Sequence, residues 1–442
     1  MTDKSRGYLW QKSGVEVDEA VMAFLAGQDV TLDQQLFEFD LEASLAHAEG
    51  LARIGVLGAD DATQIKHSLQ ALKAAWMAGE FTVDERFEDG HSAIEFWLTQ
   101  HLGDVGGRIH AGRSRNDQVA VAIRLFLKEQ LNRLSALCLD IARVCLDKAT
   151  EEGDQILPGH THLQRAMPST LGLWWAGHAE VFIDNAVLAN HIRQWLDASP
   201  LGTASGFGVN FPLDREGVAS ALGFERLVIN PQAAQNSRGK VELRAIDALS
   251  AATGDLRRLC WDLSLYATQE FGYVAIPAVF CTGSSIMPNK HNPDGVELLR
   301  SVHAMVVGAR AELEAVLSLP SGYQRDLQDT KPALIRAFGR PMDGLALVPT
   351  LLEGLVWNHA AMQQAVGAAM HATDVANEAV AGGTSFREAY RLVADDLAAL
   401  DQRSAQESCQ ARVSPGACGN LMLDALEARW QQTSAESGAQ KA

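Results

Sequence analysis

The sequence predicts an all-α protein, and three observations support this fold class. Residues 117–152 contain neither glycine nor proline, and at 1.5 Å per residue they allow a helix on the order of 50 Å long. Alanine and leucine are plentiful, whereas aromatic residues make up 7% of the chain, a balance that favours helix. No segment shows the period-two alternation of a half-buried strand. We therefore expect long helices that bury one another.

The longest predicted helix carries an apolar seam whose members are four or three residues apart. This spacing places the seam on one helix face and is typical of helix bundles. Its members are Ile123, Leu127, Leu131, Leu134, Cys138, Ile141 and Cys145. Further long helices are expected from Pro168 to about Ala198 and over residues 237–270, 294–318 and 331–365, which makes a bundle of about five.

The same pattern divides the chain into three domains and a tail. We predict an N-terminal domain of short helices over residues 1–111 and the long-helix bundle over residues 112–365. A small helical domain follows over residues 366–432. Residues 433–442 are rich in Ser, Gly, Ala and Gln, and we expect them to be disordered.

Composition excludes some classes of function. The 442 residues include 37 Lys and Arg against 55 Asp and Glu, a net charge of −18, which argues against a nucleic-acid partner. The six cysteines form no Cys-x-x-Cys pair, which favours reduced thiols in the cytoplasm. We expect no signal peptide and no membrane span, because the N-terminus lacks an apolar core and no apolar run reaches about 20 residues.

The most distinctive stretch is the loop Thr282–Pro293. Gly283 and two prolines interrupt both helix and strand, and between them lie hydroxyl, ammonium and carboxamide groups. A polar loop that precedes a helix suits chemistry that must be closed off from water. A solvated surface loop is the alternative from composition alone.

Three other polar stretches have a functional and a structural interpretation. Residues 113–116 begin the longest helix, so their arginines and free N–H groups form a carboxylate site or simply cap the helix. His160-Thr161-His162 carries a proton or is an ordinary loop, and a lone His-x-His is weak support for a metal. Residues 321–331 form a substrate clamp or a connecting turn. No P-loop, dinucleotide fingerprint or zinc spacing occurs, so we predict no metal and no cofactor.

These stretches together resemble a known family. Gly283-Ser-Ser-x-Met-Pro-x-Lys-x-Asn-Pro293 resembles the signature loop of the fumarase/aspartase superfamily. Gly112–Gln118, Thr161–Ala166 and residues 321–331 resemble the argininosuccinate lyases, whose relatives include crystallins of the eye lens. The resemblance covers about residues 30–400. It implies an all-α homotetramer with a 20-helix core, and active sites that each combine blocks from three subunits. It also implies reversible cleavage of argininosuccinate to arginine and fumarate, without a metal or organic cofactor.

The resemblance also implies roles for individual residues. Ser284 would be the base, and Lys290 and Asn292 would stabilise the charge that develops on the substrate. His162, oriented by Glu297, would protonate the departing nitrogen. The remaining contacts would be Thr161, Ser114 and Asn116 on the succinyl carboxylates, and Arg115, Tyr323, Gln328 and Lys331 on the rest of the substrate, with His91 nearby.

The chain departs from the family pattern near the expected position of the arginine end. Asp29 stands where the family has serine, Gly90 replaces an aliphatic residue, and His160 replaces tyrosine. Residues 236–244 around Arg238 also differ. A lyase for another N-succinyl compound therefore remains an alternative. A superfamily lyase that acts on adenylosuccinate is the nearest rival, which the stretches Tyr323–Lys331 and Gly112–Gln118 disfavour. A catalytically dead, crystallin-like protein is a further alternative, which retention of Ser284 and His162 disfavours.

Overall fold

The structure, a computed structural model, describes residues 19–84, 86–397, 400 and 403–439. Its helices in chain order are α1 (Glu19–Ala26), α2 (Asp29–Leu32), α3 (Phe37–Arg53), α4 (Ala59–Met77), α5 (Gly90–Leu102), α6 (Asp104–Gly107), α7 (Arg115–Glu151), α8 (Leu171–Leu196), α9 (Arg215–Ala221), α10 (Pro231–Asn236), α11 (Lys240–Tyr266), α12 (Asp294–Val316), α13 (Thr330–Phe338), α14 (Arg340–Glu353), α15 (His359–Gln364), α16 (Ala372–Ala381), α17 (Phe386–Asp395), α18 (Ala405–Ala411) and α19 (Leu423–Ala439). The all-α prediction is confirmed.

Strands in the described residues are short and form pairs. They are β1 (Ile156–Thr161), β2 (Gln164–Thr170), β3 (Ala198–Ser199), β4 (Arg226–Leu227), β5 (Val274–Ala275), β6 (Thr282–Gly283), β7 (His291–Asn292) and β8 (Val356–Trp357). The pairs β1–β2, β5–β8 and β6–β7 are antiparallel, whereas β3–β4 is parallel. The sequence did not predict these strands. β3 to β8 are too short to show an alternating pattern, and prolines and a glycine interrupt the pattern in β1 and β2.

The chain folds into two compact units. The first comprises the chain up to Phe126, Asp197–Arg238 and Ser318–Pro332. Its core forms where α3, α4 and α5 pack together, and Phe37, Leu51 and Leu98 are fully buried there. The second comprises Leu127–Leu196, Gly239–Leu317 and the chain from Ala333 onward.

The second unit contains the predicted helix bundle. Helix α11 packs against α8, α12 and α14, α12 also packs against α14, and α19 packs against α8. The α7 seam described above is 0% exposed at every position, so the heptad-like spacing predicted its buried face correctly. The first part of α7 belongs to the first unit and the remainder to the second. The three-domain division at residues 111 and 365 stays a prediction.

Two predicted elements differ in the structure. The expected long helix over residues 331–365 is divided, because α13 ends at Phe338 and α14 begins beyond Gly339, with Pro341 in its first turn. The expected disordered tail is helical as far as Ala439, and residues 440–442 lie outside the described part. Ser437 in α19 is hydrogen-bonded to Ser135 at 3.0 Å and to Asn190 at 2.9 Å, so contacts with α7 and α8 order a segment of low apolar content.

Candidate active site

The loop predicted to carry the base is closed by two short strands. Thr282 pairs with Asn292 and Gly283 with His291, so residues 284–290 form the exposed tip of a hairpin. The Ser284 hydroxyl oxygen accepts hydrogen bonds from the N–H groups of Met287 at 3.0 Å and Ile286 at 3.4 Å. Two converging N–H donors stabilise negative charge on that oxygen. The hydroxyl therefore lies where an alkoxide would be favoured.

The other predicted groups of this loop lie on either side of its closure. Lys290 is exposed at the tip, and Asn292 is half-buried in β7. Helix α12 begins immediately afterwards, with Glu297 in its first turn. The Glu297 carboxylate lies 3.5 Å from the Arg300 guanidinium, so the orientation of His162 by Glu297 stays a prediction.

Thr161 and His162 lie at the tip of the β1–β2 hairpin. Thr161 pairs with Gln164, and the two residues between them, His162 and Leu163, adopt positive φ angles of 55° and 60°. Such two-residue turns normally contain glycine or asparagine, so the sequence carried no signal for this turn. Strain of this kind in non-glycine residues is a feature of functional sites.

The His162 side chain borders an open cavity in the second unit. Aromatic side chains form much of its wall, among them Trp174, Tyr266 and Phe271. One acid, Asp262, also lines it and accepts a hydrogen bond from the Trp174 indole at 2.9 Å. His160 lies on the same wall, 5.4 Å from the Phe271 ring, and burial lowers the pKa of His160. The His160 ring thus packs on aromatic neighbours.

The first unit contains a polar cleft of about 580 Å³. It brings together five of the predicted contact residues, Arg115, Asn116, Tyr323, Gln328 and Lys331. It also contains charged residues that the sequence analysis did not include among the site residues: Asp29, Glu88, Asp89, Arg238 and Arg325. Both signs of charge are therefore present, as a substrate with carboxylate and cationic groups requires.

Lys331 is held by two carboxylates. Its ammonium lies 2.8 Å from Asp29 and 2.8 Å from Asp33, and its side chain is 3% exposed. Burial lowers the pKa of Lys331, but the two carboxylates outweigh burial and the net shift is upward. Burial raises the pKa of Asp29 to about 6, against the opposing effect of Lys331. The Asp33 carboxylate also accepts a hydrogen bond from the Gly90 N–H at 2.9 Å.

Arg115 and Gln328 are also held in place. The Arg115 guanidinium lies 2.8 Å from Glu88 and 3.3 Å from Asp89, which is the cap of α5. The Gln328 amide donates to the backbone carbonyl of Leu25 at 3.0 Å. Such fixed side chains reduce the entropy lost when a ligand binds.

Ser114 and His91 do not line the cleft. The Ser114 hydroxyl accepts a hydrogen bond from the Asn116 N–H at 3.3 Å, so it caps α7, which was the structural alternative for this stretch. His91 is 3% exposed and lies 3.4 Å from Asp40, and burial lowers the pKa of His91 to about 4. Direct substrate contact by either residue stays a prediction.

The predicted site residues therefore fall into two sets. The first unit holds His91, Ser114, Arg115, Asn116, Tyr323, Gln328 and Lys331, and the second holds Thr161, His162, Ser284, Lys290, Asn292 and Glu297. The missed pair Asp29 and Asp33 had only a weak signal, since two acids four residues apart are usually solvated.

Among the described residues, no group of three or more His, Cys, Asp or Glu side chains is arranged to hold a metal ion. No helix of the described residues has the length and apolar character needed to cross a bilayer.

Comparison with known proteins identifies the family. The family model described as "Lyase" matches residues 12–308. Argininosuccinate lyase from Stenotrophomonas maltophilia (strain R551-3) is 54% identical and covers 96% of this chain and 99% of its own. That from Xanthomonas euvesicatoria pv. vesicatoria (strain 85-10) is 52% identical, with 96% and 98% coverage.

Solved structures share the fold at lower identity. An EDDS lyase variant with bound fumarate has a TM-score of 0.77 at 22% identity, covering 97% of this chain and 92% of its own. Class II fumarase from Schistosoma mansoni has a TM-score of 0.71 at 16% identity, covering 93% and 94%. The residue blocks, the helical fold and the near full-length relatives agree: the chain belongs to the argininosuccinate lyase family.

Proposed function

We propose that this protein is a carbon–nitrogen lyase that cleaves argininosuccinate reversibly to L-arginine and fumarate, the last step of arginine biosynthesis. Family membership over 96% of the chain supports this reaction. The observation that carries it is the position of Ser284, whose oxygen accepts two backbone N–H groups in a loop that also holds Lys290. The chemistry requires a base beside a cation, and this loop supplies both.

The difficult step is removal of a proton from the carbon next to a carboxylate. It leaves a dianionic, carbanion-like intermediate, so cations and hydrogen-bond donors that face this charge lower the barrier most. Ser284 acts as the base, because the N–H groups of Ile286 and Met287 stabilise its alkoxide. Lys290 and Asn292 stabilise the second negative charge. Closure of the exposed loop excludes water and strengthens these interactions.

The leaving nitrogen needs a proton as its bond to carbon breaks. His162 supplies that proton from the tip of the β1–β2 hairpin, with Thr161 beside it on a substrate carboxylate. The polar cleft of the first unit holds the rest of the substrate, its arginines facing carboxylates and its acids facing cationic groups.

We further propose that the enzyme is a cytoplasmic homotetramer in which three subunits contribute to each active site. Long helices of the second unit expose apolar side chains, which supports burial against other copies. Examples are Leu188 at 37% exposure in α8, Val307 at 45% in α12 and Leu347 at 51% in α14. The division of predicted site residues between two units is compatible with this arrangement.

Fumarate release from purified protein given argininosuccinate tests the function. We expect wild type to release fumarate and Ser284→Ala to lose at least about 100-fold in kcat, because acid–base groups contribute roughly 10²–10⁴-fold. Ser285→Ala is the matched control, since the neighbouring hydroxyl is exposed and is not the base; it should keep most of the activity. A Ser284→Ala protein with more than about 1% of wild-type turnover would refute the base assignment.

A second candidate substrate follows from the cleft itself. Asp29 stands where the family has serine, and it lines the cleft beside Lys331. A different amine on the succinyl group is therefore the alternative leaving group. If folded wild-type protein releases no fumarate from argininosuccinate but does so from another N-succinyl amine, the elimination chemistry stands and the substrate assignment fails.

A further inference from the structure

Two cysteines outside the proposed active site lie next to each other. Cys409 is in α18 and is 3% exposed, whereas Cys418 is half-buried in the turn that follows. Both belong to one small cluster with Ile156 and Ala405. Cys418 packs against the part of this cluster that contains Cys409, and the Ser169 hydroxyl lies 3.9 Å from the Cys418 sulfur.

The backbone holds this pair together. The Gly419 N–H donates to the Arg412 carbonyl at 3.0 Å, so the turn folds back on the end of α18. A Cβ atom at Gly419 would lie 2.5 Å from the Gln410 carbonyl oxygen, which leaves room only for glycine. The turn that carries Cys418 is thereby held against the end of α18.

The surroundings make the two sulfurs unequal. Hydrogen bonds from Cys409 and Ser169 lower the pKa of Cys418 despite burial, whereas the Arg412 guanidinium lowers the pKa of both thiols. The hydrogen bond with Cys418 raises the pKa of Cys409. Arg412 is itself held by two hydrogen bonds to Asp374, at 2.8 and 2.7 Å, and by the carbonyl of Pro168 in β2. Cys418 is also more accessible than Cys409, which is 3% exposed, so peroxide reaches the Cys418 sulfur first.

The other four cysteines offer no such pair. Cys138, Cys145 and Cys260 are fully buried, and burial raises the pKa of each thiol. Cys281 is half-buried, and burial raises the pKa of its thiol as well. Among the described residues, only Cys418 combines a neighbouring cysteine with partial access to solvent.

We propose that Cys409 and Cys418 form a modification site, a dithiol that hydrogen peroxide oxidises to a reversible disulfide. The Cys418 thiolate attacks one peroxide oxygen, forming a sulfur–oxygen bond, while the oxygen–oxygen bond breaks and hydroxide leaves. The Cys409 sulfur then attacks the sulfenic acid, forming the disulfide as the sulfur–oxygen bond breaks. Water leaves with the Cys409 proton. Two thiols thus reduce one peroxide to two waters.

The disulfide would have a protective and a structural effect. The nearby Cys409 traps the sulfenic acid of Cys418 before it is oxidised irreversibly. The bond also ties the turn to α18, which packs against β2 at the base of the hairpin that carries Thr161 and His162.

Peptide mapping tests the proposal on the full-length protein. Trypsin cleaves after Arg403, Arg412 and Arg429, so the two cysteines fall in separate peptides, 404–412 and 413–429. After brief peroxide treatment and alkylation of free thiols, we expect these peptides to be joined and lighter by two hydrogens. Dithiothreitol should separate them. Absence of the joined peptide would overturn the proposal.

Three variants assign the order of steps. In Cys409→Ser, we expect no joined peptide and accumulation of a Cys418 sulfenic acid that dimedone traps. In Cys418→Ser, Cys409 should remain a thiol. Cys281→Ser is the control and should form the joined peptide at the wild-type rate. At pH 7, Cys418 of wild type should react with peroxide roughly tenfold faster than Cys281. Equal rates, or sulfenic acid at Cys409 instead of Cys418, would refute the assignment.

Discussion

Lys331 and Asp29 show how charge is distributed in the candidate active site. The lysine was predicted to contact substrate, but in the structure two carboxylates neutralise it. A buried ammonium between Asp29 and Asp33 contributes little net positive charge to the cleft. Arg115 and Arg325 are likewise paired with Glu88, at 2.8 and 3.8 Å, so most cations of the cleft already face an acid.

The raised pKa of Asp29 gives a pH-dependent contribution to stability. Burial raises this pKa from the ordinary 3.8 to about 6, so between these values the folded protein binds a proton that the unfolded chain lacks. Stability from this group is present below about pH 4 and is lost as pH rises through about 6. Asp29→Asn removes the titration. We expect the free energy of unfolding of this variant to rise relative to that of wild type across this range. The difference should reach on the order of 2 kcal/mol above pH 6.

Urea denaturation midpoints measured from pH 4 to pH 7 check this prediction. The control is Asp154→Asn, an exposed aspartate in a loop outside the cleft. The difference between its urea midpoint and that of wild type should stay constant from pH 4 to pH 7. A constant difference for Asp29→Asn as well would show that Asp29 does not titrate near pH 6.

At the scale of elements, the β1–β2 hairpin concentrates strain beside the predicted proton carrier. Leu163 is 68% exposed and has a φ of 60°, a region that costs a non-glycine residue about 1–2 kcal/mol. Leu163→Gly should relieve most of this cost, and we expect about 1 kcal/mol of added stability by urea denaturation. The looser tip should also position His162 less well, so kcat should fall.

Leu163→Ala distinguishes backbone strain from loss of the side chain. Alanine keeps the Cβ atom, so this variant should show no gain in stability. If the alanine and glycine variants have the same midpoint, strain at this turn is not the cause.

In the loop Thr282–Pro293, the same hydrogen bonds that close the turn also suit the proposed chemistry. The Ser284 oxygen closes the turn by accepting two N–H groups, and those donors also favour its alkoxide. A hairpin with no catalytic role would need only the closure of the turn. This coincidence supports the proposed role of Ser284 as the base.

At the scale of the whole molecule, the exposed apolar residues of the long helices predict assembly. Val307→Asp in α12 should dissociate the proposed tetramer, because an isolated carboxylate in an apolar interface costs several kcal/mol. Light scattering during size-exclusion chromatography measures the mass. Fumarate release should fall in parallel if subunits share active sites.

Ile229→Asp is the control for this experiment. Ile229 is 84% exposed but lies between β4 and α10, outside the long helices. Its substitution should leave the mass unchanged. A wild-type monomer, or equal dissociation of both variants, would refute assembly through the long helices.

The sequence by itself determined the helical architecture and the family. The buried face of α7 could be predicted because a helix of 3.6 residues per turn brings apolar residues back to the same face at regular spacing. The residue blocks around Ser284, His162 and Arg115 identify the family from short stretches of sequence. Tertiary structure alone decided the rest. Asp29 and Lys331 are about 300 residues apart, the left-handed turn at His162 has no local signal, and α19 is ordered by contacts with α7 and α8. These three features depend on contacts between residues that are distant in the sequence. Burial in those contacts sets the pKa of Asp29, the backbone strain at His162 and the order of α19, and no local sequence pattern specifies them.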